Sequence, residues 1–320
     1  MNYEDGASED TYSLLSLATT TDSNRLERKS TRKGYTLNVL VVGEEKSGKT
    51  TLMSALFDKH FEMPPNKTLP KDPFNPPVTL VSRSFELKDK NVPIFLTLHE
   101  SKNYGQAICQ KGTHLPIVNF IDNQFIDYYN RESGVNRRNI RDNLVHCMFL
   151  LVSAINHGLS ELDIELLKAV QNKVNVILVI TYAELLDPTG RKNVKQSIKE
   201  TLERNNITLY QVEDPDLGDT EQVKRAITEI QDASPFAVPS ILLNSECGIE
   251  PIKLDWGRID SLDIEQSDYL HLKAMLKLQE VDLRTSTRDI FYEEFRSKKL
   301  ISALHQSPRK RNDAGDTRMI

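Results

Sequence analysis

Cysteine is scarce in this chain of 320 residues: there are three, Cys109, Cys147 and Cys247. An odd number at such wide spacing offers neither a disulfide framework nor the paired ligands of a zinc site, and reads as buried thiols of a reducing compartment. An excess of charge of one sign is missing too. A formal net charge of -5 is too mild, and of the wrong sign, for a surface built throughout for nucleic acid, so any basic contact has to be local. No apolar run reaches the length of a membrane span. The N-terminus is acidic and rich in Ser and Thr, unlike a secretory signal. These absences predict a cytoplasmic protein. Internal repeats are not visible, and no heptad pattern survives near the C-terminus, which excludes a coiled-coil tail. What remains is enough chain for one large domain or two small ones around a buried core.

Within that chain, "GEEKSGKT" at 43–50 has the spacing Gly-x-x-x-x-Gly-Lys-Thr. The apolar run "LNVLVV" precedes it and the helical pattern "TTLMSALF" continues from it. Glycines at this spacing let successive backbone amides turn toward phosphate groups, while Lys49 reaches the outer phosphates and Thr50 offers its hydroxyl to a magnesium ion. Strand before and helix after are the context that a working phosphate loop requires. The candidate nucleotide contacts in this stretch are Gly43, Glu44, Glu45, Lys46, Ser47, Gly48, Lys49, Thr50 and Thr51.

The rest of the chain falls into four parts. Residues 1–33 open with an acidic, Ser/Thr-rich arm expected to be disordered. That arm ends in a basic cluster of Arg25, Arg28, Lys29, Arg32 and Lys33. Such a cluster can bind acidic lipid headgroups at about 1 kcal/mol per basic residue; the bland alternative is a solvated linker. Over 34–250, strand patterns at 37–42, 78–87, 93–98, 145–152, 175–180 and 237–243 alternate with helical ones at 160–171, 193–205 and 219–232. Near-continuous Val, Ile and Leu in the strands, separated by amphipathic helices, predict an α/β fold with a doubly wound, mainly parallel sheet. Ligands of such sheets bind at the carboxyl ends of the strands. The loop at 62–77 carries six prolines and is expected to be a mobile excursion near the phosphates. After 243 the sheet pattern stops. Residues 251–300 contain a helical segment at 268–299 whose apolar face is Leu270, Leu272, Met275, Leu276 and Leu278, and 301–320 is a polar tail expected to be disordered.

Three stretches narrow the field. The segment 120–151, the segment "NHGLSELDIELLKAVQNKVNVILVI" at 156–180, and "LDWGRIDSL" at 254–262 followed by "DLRTSTRDIFYEEFRSKKL" together resemble a septin. Septins are filament-forming relatives of the small GTPases, and the last stretch is similar to the septin unique element. The resemblance covers about 34–300 of the chain. It implies a GTPase-type fold with that helical element appended, bound GTP or GDP, and Mg2+ held by Thr50 and Glu100.

Several positions depart from the family pattern. Lys46 replaces a Gly, and either crowds the phosphates or points outward as a further cation. In the second switch, "ESKNYGQ" at 100–106 stands where septins have Asp-Thr-Pro-Gly-x-Gly-Asp. Glu100 thus replaces the magnesium-holding Asp, and Asn103 the Gly whose amide meets the γ-phosphate. The first-switch Thr falls on Pro77, which has neither hydroxyl nor N–H, with Thr79 the neighbouring substitute. In the base-reading motif, "TYAE" at 181–184 puts Thr181, Tyr182 and Glu184 where septins read guanine. Ser240 replaces a Gly near the base, Ile252 stands at the place of a stacking Arg beside Lys253, and Gly190 replaces a Glu that reaches a neighbour's nucleotide. His157 and Trp256 match positions at the interface between subunits.

Phosphoryl transfer depends on positioning and charge stabilisation, so these losses imply a very slow or dead GTPase. The leading expectation is a divergent septin subunit that co-assembles with other septins into filaments, peripheral to acidic phospholipid membranes, in cytokinesis or septum morphogenesis. It would hold its nucleotide structurally and bind no nucleic acid. The alternatives are a working GTPase with unusual switch chemistry and a nucleotide-free scaffold.

Overall fold

The computed structural model describes residues 34–64, 74–89, 92–134, 140–214, 220–240, 242–244, 248–255 and 257–306. The N-terminal arm with its basic cluster, the middle of the proline-rich loop, Cys247, Trp256 and the C-terminal tail lie outside the described residues.

Strand β1 (Tyr35–Gly43) explains the sheet around it. Its side chains alternate between faces, and both faces are apolar because both are covered. Leu37, Val39 and Val41 join one core and Leu40 and Val42 the other. Parallel neighbours β3 (Val92–Lys102) and β4 (Cys147–Ser153) flank it. The six-stranded order is β2-β3-β1-β4-β5-β6, with β2 (Thr79–Asp89) antiparallel at one edge and β5 (Asn175–Thr181) and β6 (Phe236–Ala237) continuing the other. The first face is covered by α1 (Lys49–Leu56), α5 (Glu221–Ala233) and α6 (Tyr269–Ser286). The second is covered by α2 (Leu115–Glu132), α3 (Glu161–Val170) and α4 (Pro188–Arg204).

Local chemistry sets several boundaries. Ser160 and Asp163 form a reciprocal capping box that starts α3. Asp187 caps α4 and Pro188 takes its first position, so this helix begins five residues before the expected 193. Asp187 Oδ1 accepts from the Gly190 N–H at 2.9 Å, and a Cβ on Gly190 would lie 2.6 Å from that oxygen. The expected strand at 237–243 is divided in two. Pro239 has no N–H to give to a ladder, so only Phe236–Ala237 joins the sheet, while β7 (Leu242–Asn244) pairs with β8 (Gly248–Glu250). Strand pairing also continues past 243, contrary to expectation, because β9 (Ile252–Leu254) and β10 (Gly257–Ile259) form a second short ladder.

The helical segment beyond is longer than expected and interrupted. A wider π turn, Thr287–Tyr292, separates α6 from α7 (Glu293–Gln306). The expected apolar face of α6, Leu270, Leu272, Met275, Leu276 and Leu278, is buried in the same core as α1. Each such side chain contributes about 1.5–3 kcal/mol of burial. Exposed apolar side chains in this region are Ile290, Leu300 and Ile301.

Candidate functional site

The strand order reverses around β1, and the ends of β1, β3, β4 and β5 open onto one crevice, where doubly wound sheets place their ligands. β1 ends at Gly43 and α1 begins at Lys49, so 44–48 form the turn between them. Gly48 has φ 79°, and a Cβ there would meet nothing within 4 Å; its glycine is required by conformation. Gly43 is required by space, because a Cβ would sit 2.9 Å from Leu151 Cβ.

Lys49 Nζ donates to the carbonyls of Gly43 at 3.0 Å and Glu44 at 2.5 Å. Burial pushes its pKa from 10.5 down to about 8, against the attraction of Glu100, and Lys102 pushes it the same way as burial. Ser47 Oγ also closes on Glu44 O at 2.8 Å, while Glu44, Glu45 and Lys46 are exposed. Lys46 is nonetheless one of the residues that line the cavity beside the loop, and Thr51 is another.

Four site candidates share an unusual backbone. Lys46, Asn103, His157 and Tyr182 have φ of 62°, 63°, 53° and 59°. Such left-handed conformations cost a side chain about 1–2 kcal/mol per residue, less for Asn, and residues held this way cluster at functional sites. Lys46 and Asn103 stand where the resemblance put glycines, so the backbone shape has outlasted the residue suited to it.

At the end of β3, Glu100 is 5% exposed and both of its oxygens are engaged. Thr50 Oγ1 donates to Oε2 at 3.1 Å, and the Lys102 ammonium lies 2.7 Å from Oε1. Thr50 and Glu100 are thus adjacent, as a magnesium pair would have to be. A magnesium ion requires near-octahedral oxygen ligands at about 2.0–2.1 Å. The Thr50 hydroxyl keeps its oxygen lone pairs for an ion while it donates to Glu100, but with the Lys102 ammonium at ion-pair distance on its other oxygen, Glu100 as arranged does not fit that ion.

The second switch is fastened on either side. Asn103 Nδ2 donates to the carbonyl of exposed Pro77 at 3.0 Å, joining the two switch segments directly. Tyr104, 2% exposed, donates its phenol to Asp163 Oδ1 at 2.8 Å. Burial, then the Asp163 charge, push that phenol's pKa well up. Thr79 is paired opposite Lys102 as the first residue of β2.

On the base side, Tyr182 donates its phenol to Lys46 O at 2.5 Å. Glu184 is held entirely by Ser240, whose N–H reaches Oε2 at 2.9 Å and whose Oγ reaches Oε1 at 2.5 Å. Thr181 is buried, with its hydroxyl directed at Val152 O at 3.4 Å. Between loop and strand ends lies a cavity of about 190 Å³, lined by Gly48, Thr51, Tyr182 and Ser240 among others. The phosphate end of this site fits a nucleotide, since it has a glycine-shaped turn and a buried ammonium. The guanine end fits only if Ser240 releases Glu184. A larger cavity, about 990 Å³, lies away from the loop, along β5 and residues 206–214; it has no comparable cradle for phosphate.

The other candidates lie apart. Ile252 is buried and Lys253 exposed on β9; neither lines the base-side cavity. His157 is exposed in a tight turn beside exposed Ile155. Gly190 is committed to the α4 cap described above. Two participants were missed from sequence. Lys102 had a readable signal, because residues two apart on a strand share a face and so align with Glu100. Asp163 was visible as the third residue after Ser160 in a capping box, but its bond to Tyr104 spans 59 residues.

The sequence profile of the family described as Septin matches residues 33–309. Septin-2A of Xenopus laevis is 34% identical over 289 residues, covering 89% of this chain and 81% of that protein. Septin-2 of Rattus norvegicus is 33% identical over 282 residues, covering 87% and 78%. The crystal structure of Cdc11 from Saccharomyces cerevisiae is similar with a TM-score of 0.53 at 21% identity, over 83% of this chain and 100% of that one, a likeness of fold.

Proposed function

Given that the chain belongs to the septin family, whose members are GTP-binding cytoskeletal subunits that form filaments, we propose that it is a subunit that keeps a guanine nucleotide as a structural part and turns it over slowly or not at all. One observation carries this: a phosphate loop with Lys49 in place adjoins a second switch bound to its surroundings through Asn103–Pro77 and Tyr104–Asp163. A switch works by exchanging contacts when the γ-phosphate leaves. Here Pro77 supplies no hydroxyl, and Asn103 uses its side chain to hold the first switch segment. Lys49 would bind the phosphates, Thr51 and Tyr182 would border the sugar and base, and Glu184 would accept from the base edge.

Co-assembly with other septins, in cytokinesis or septum formation, is part of the same proposal. Its interface would use exposed His157 with Trp256 on one side and the exposed residues of α6–α7 on the other. Arg25, Arg28, Lys29, Arg32 and Lys33 would contact acidic phospholipid. A specific observation favours a second reading, the nucleotide-free scaffold: Glu184 and Tyr182 already have protein partners. Denaturing the purified native complex and identifying what is released distinguishes the two. Guanine nucleotide at about one per chain without multiple turnover supports the first, absence of nucleotide supports the second, and brisk multiple turnover overturns both.

A further inference from the structure

The end of β3 alternates in a way that carries its own chemistry. Ser101 is buried with its hydroxyl 3.4 Å from the Gly43 N–H, beneath the loop. Glu100 and Lys102, on either side of it, share the opposite face. There the Lys102 ammonium lies 2.7 Å from Glu100 Oε1, and Oε2 of the same carboxylate takes the Thr50 hydroxyl at 3.1 Å. The chain Lys102–Glu100–Thr50 therefore runs directly up to the first residues of α1 and to buried Lys49. Lys102 is close enough to Lys49 to weaken its hold on a proton.

A divalent ion placed between Thr50 and Glu100 would have to share one carboxylate with a fixed positive charge at ion-pair distance. An ammonium supplies the same sign of charge without demanding octahedral oxygens. Lysine binds phosphate as a point charge, and its three donors let the head stay on Glu100 while it meets an incoming anion. Two ammonium groups, Lys49 and Lys102, then flank the phosphate position.

We propose that Lys102 is a built-in substitute for the divalent cation, so that nucleotide phosphates bind to this chain without magnesium. The inference rests on the nucleotide reading above, and the experiment separates the two. Affinities of the full chain for GDP and for inorganic diphosphate are measured by titration calorimetry in excess magnesium and in excess chelator, and the uptake of Mn2+ by the GDP complex is followed by electron paramagnetic resonance. For the wild type, affinity should agree within about twofold between the two buffers, with Mn2+ remaining free. Lys102→Met should lose about tenfold or more in chelator, regain it with magnesium, and take up Mn2+. Lys102→Arg, which retains the charge, should behave as wild type and guards against misfolding of the first variant. Wild-type binding that collapses on chelation overturns the inference alone. No binding of GDP or diphosphate in either buffer overturns the nucleotide reading and the inference with it.

Discussion

Replacing Ser240 by Ala should sharpen guanine recognition. Its hydroxyl is 2.5 Å from Glu184 Oε1, while its N–H holds Oε2 at 2.9 Å. A guanine edge offers two N–H donors and needs both oxygens to be accessible, so in the wild type the hydroxyl has to yield before the second donor can bind. Hydrogen bonds to a charged group contribute about 1.5–3 kcal/mol. The displaced hydroxyl regains part of that from water, leaving a net penalty of about 1–2 kcal/mol, a factor of roughly 5–30 in affinity. Inosine nucleotides lack the second donor and avoid the penalty. Calorimetric affinities for GDP and IDP should therefore be nearly equal in the wild type. Ser240→Ala should raise the preference for GDP by that factor of about 5–30, through tighter GDP binding with little change for IDP. The variant retains the backbone bond to Oε2, and a thermal melt checks its fold. A GDP-to-IDP ratio that is the same in both proteins would show that Glu184 does not read the base.

Three further outcomes follow from burial and exposure. Because Lys49 titrates at about 8 in the free chain and phosphate favours its protonated form, binding should be tightest below that pH and weaken as pH rises through it. The loss should reach up to about tenfold per unit, while the terminal phosphate of GDP, which ionises near pH ~6, stays largely ionised above pH ~7; a flat affinity for GDP from neutral to alkaline pH contradicts the assignment. Leu272→Ala, in the buried part of α6, should lower stability in urea by about 2–5 kcal/mol. Ile301→Ala, 55% exposed on α7, should change stability by less than about 0.5 kcal/mol yet weaken assembly with other septins by sedimentation. The reverse order of stabilities would place the core elsewhere.

The parts of the molecule that were legible in sequence are those whose logic is local. The alternation in β1, the spacing of Gly43, Gly48 and Lys49, and the Ser160 cap each depend on neighbours within a few residues. Pro239 shows the limit of pattern: "AVPSILL" has the composition of one strand, and a single missing N–H divides it. The base side was harder because Glu184 and Ser240 are 56 residues apart and meet only through the pairing of β5 with β6. Substitution against the family pattern marked both positions, but could not reveal that the two changed residues had become partners. Lys102 lies within "ESKNYGQ", where comparison with the family pattern marks the groups that are lost and carries no signal for a charge that is gained.

The two ends of α1 have different neighbours. Its N-terminus adjoins the phosphate loop, while at the other end Ala55 O accepts the Tyr269 phenol at 2.8 Å and Asp58 pairs with Lys273 at 2.5 Å. A gene fragment stopped at the last strand of the main sheet would strip α1 of both attachments and leave a leucine-lined trough open to water. Cloning boundaries, and evolution by deletion, must therefore treat the outer helix and the phosphate loop as a single heritable piece.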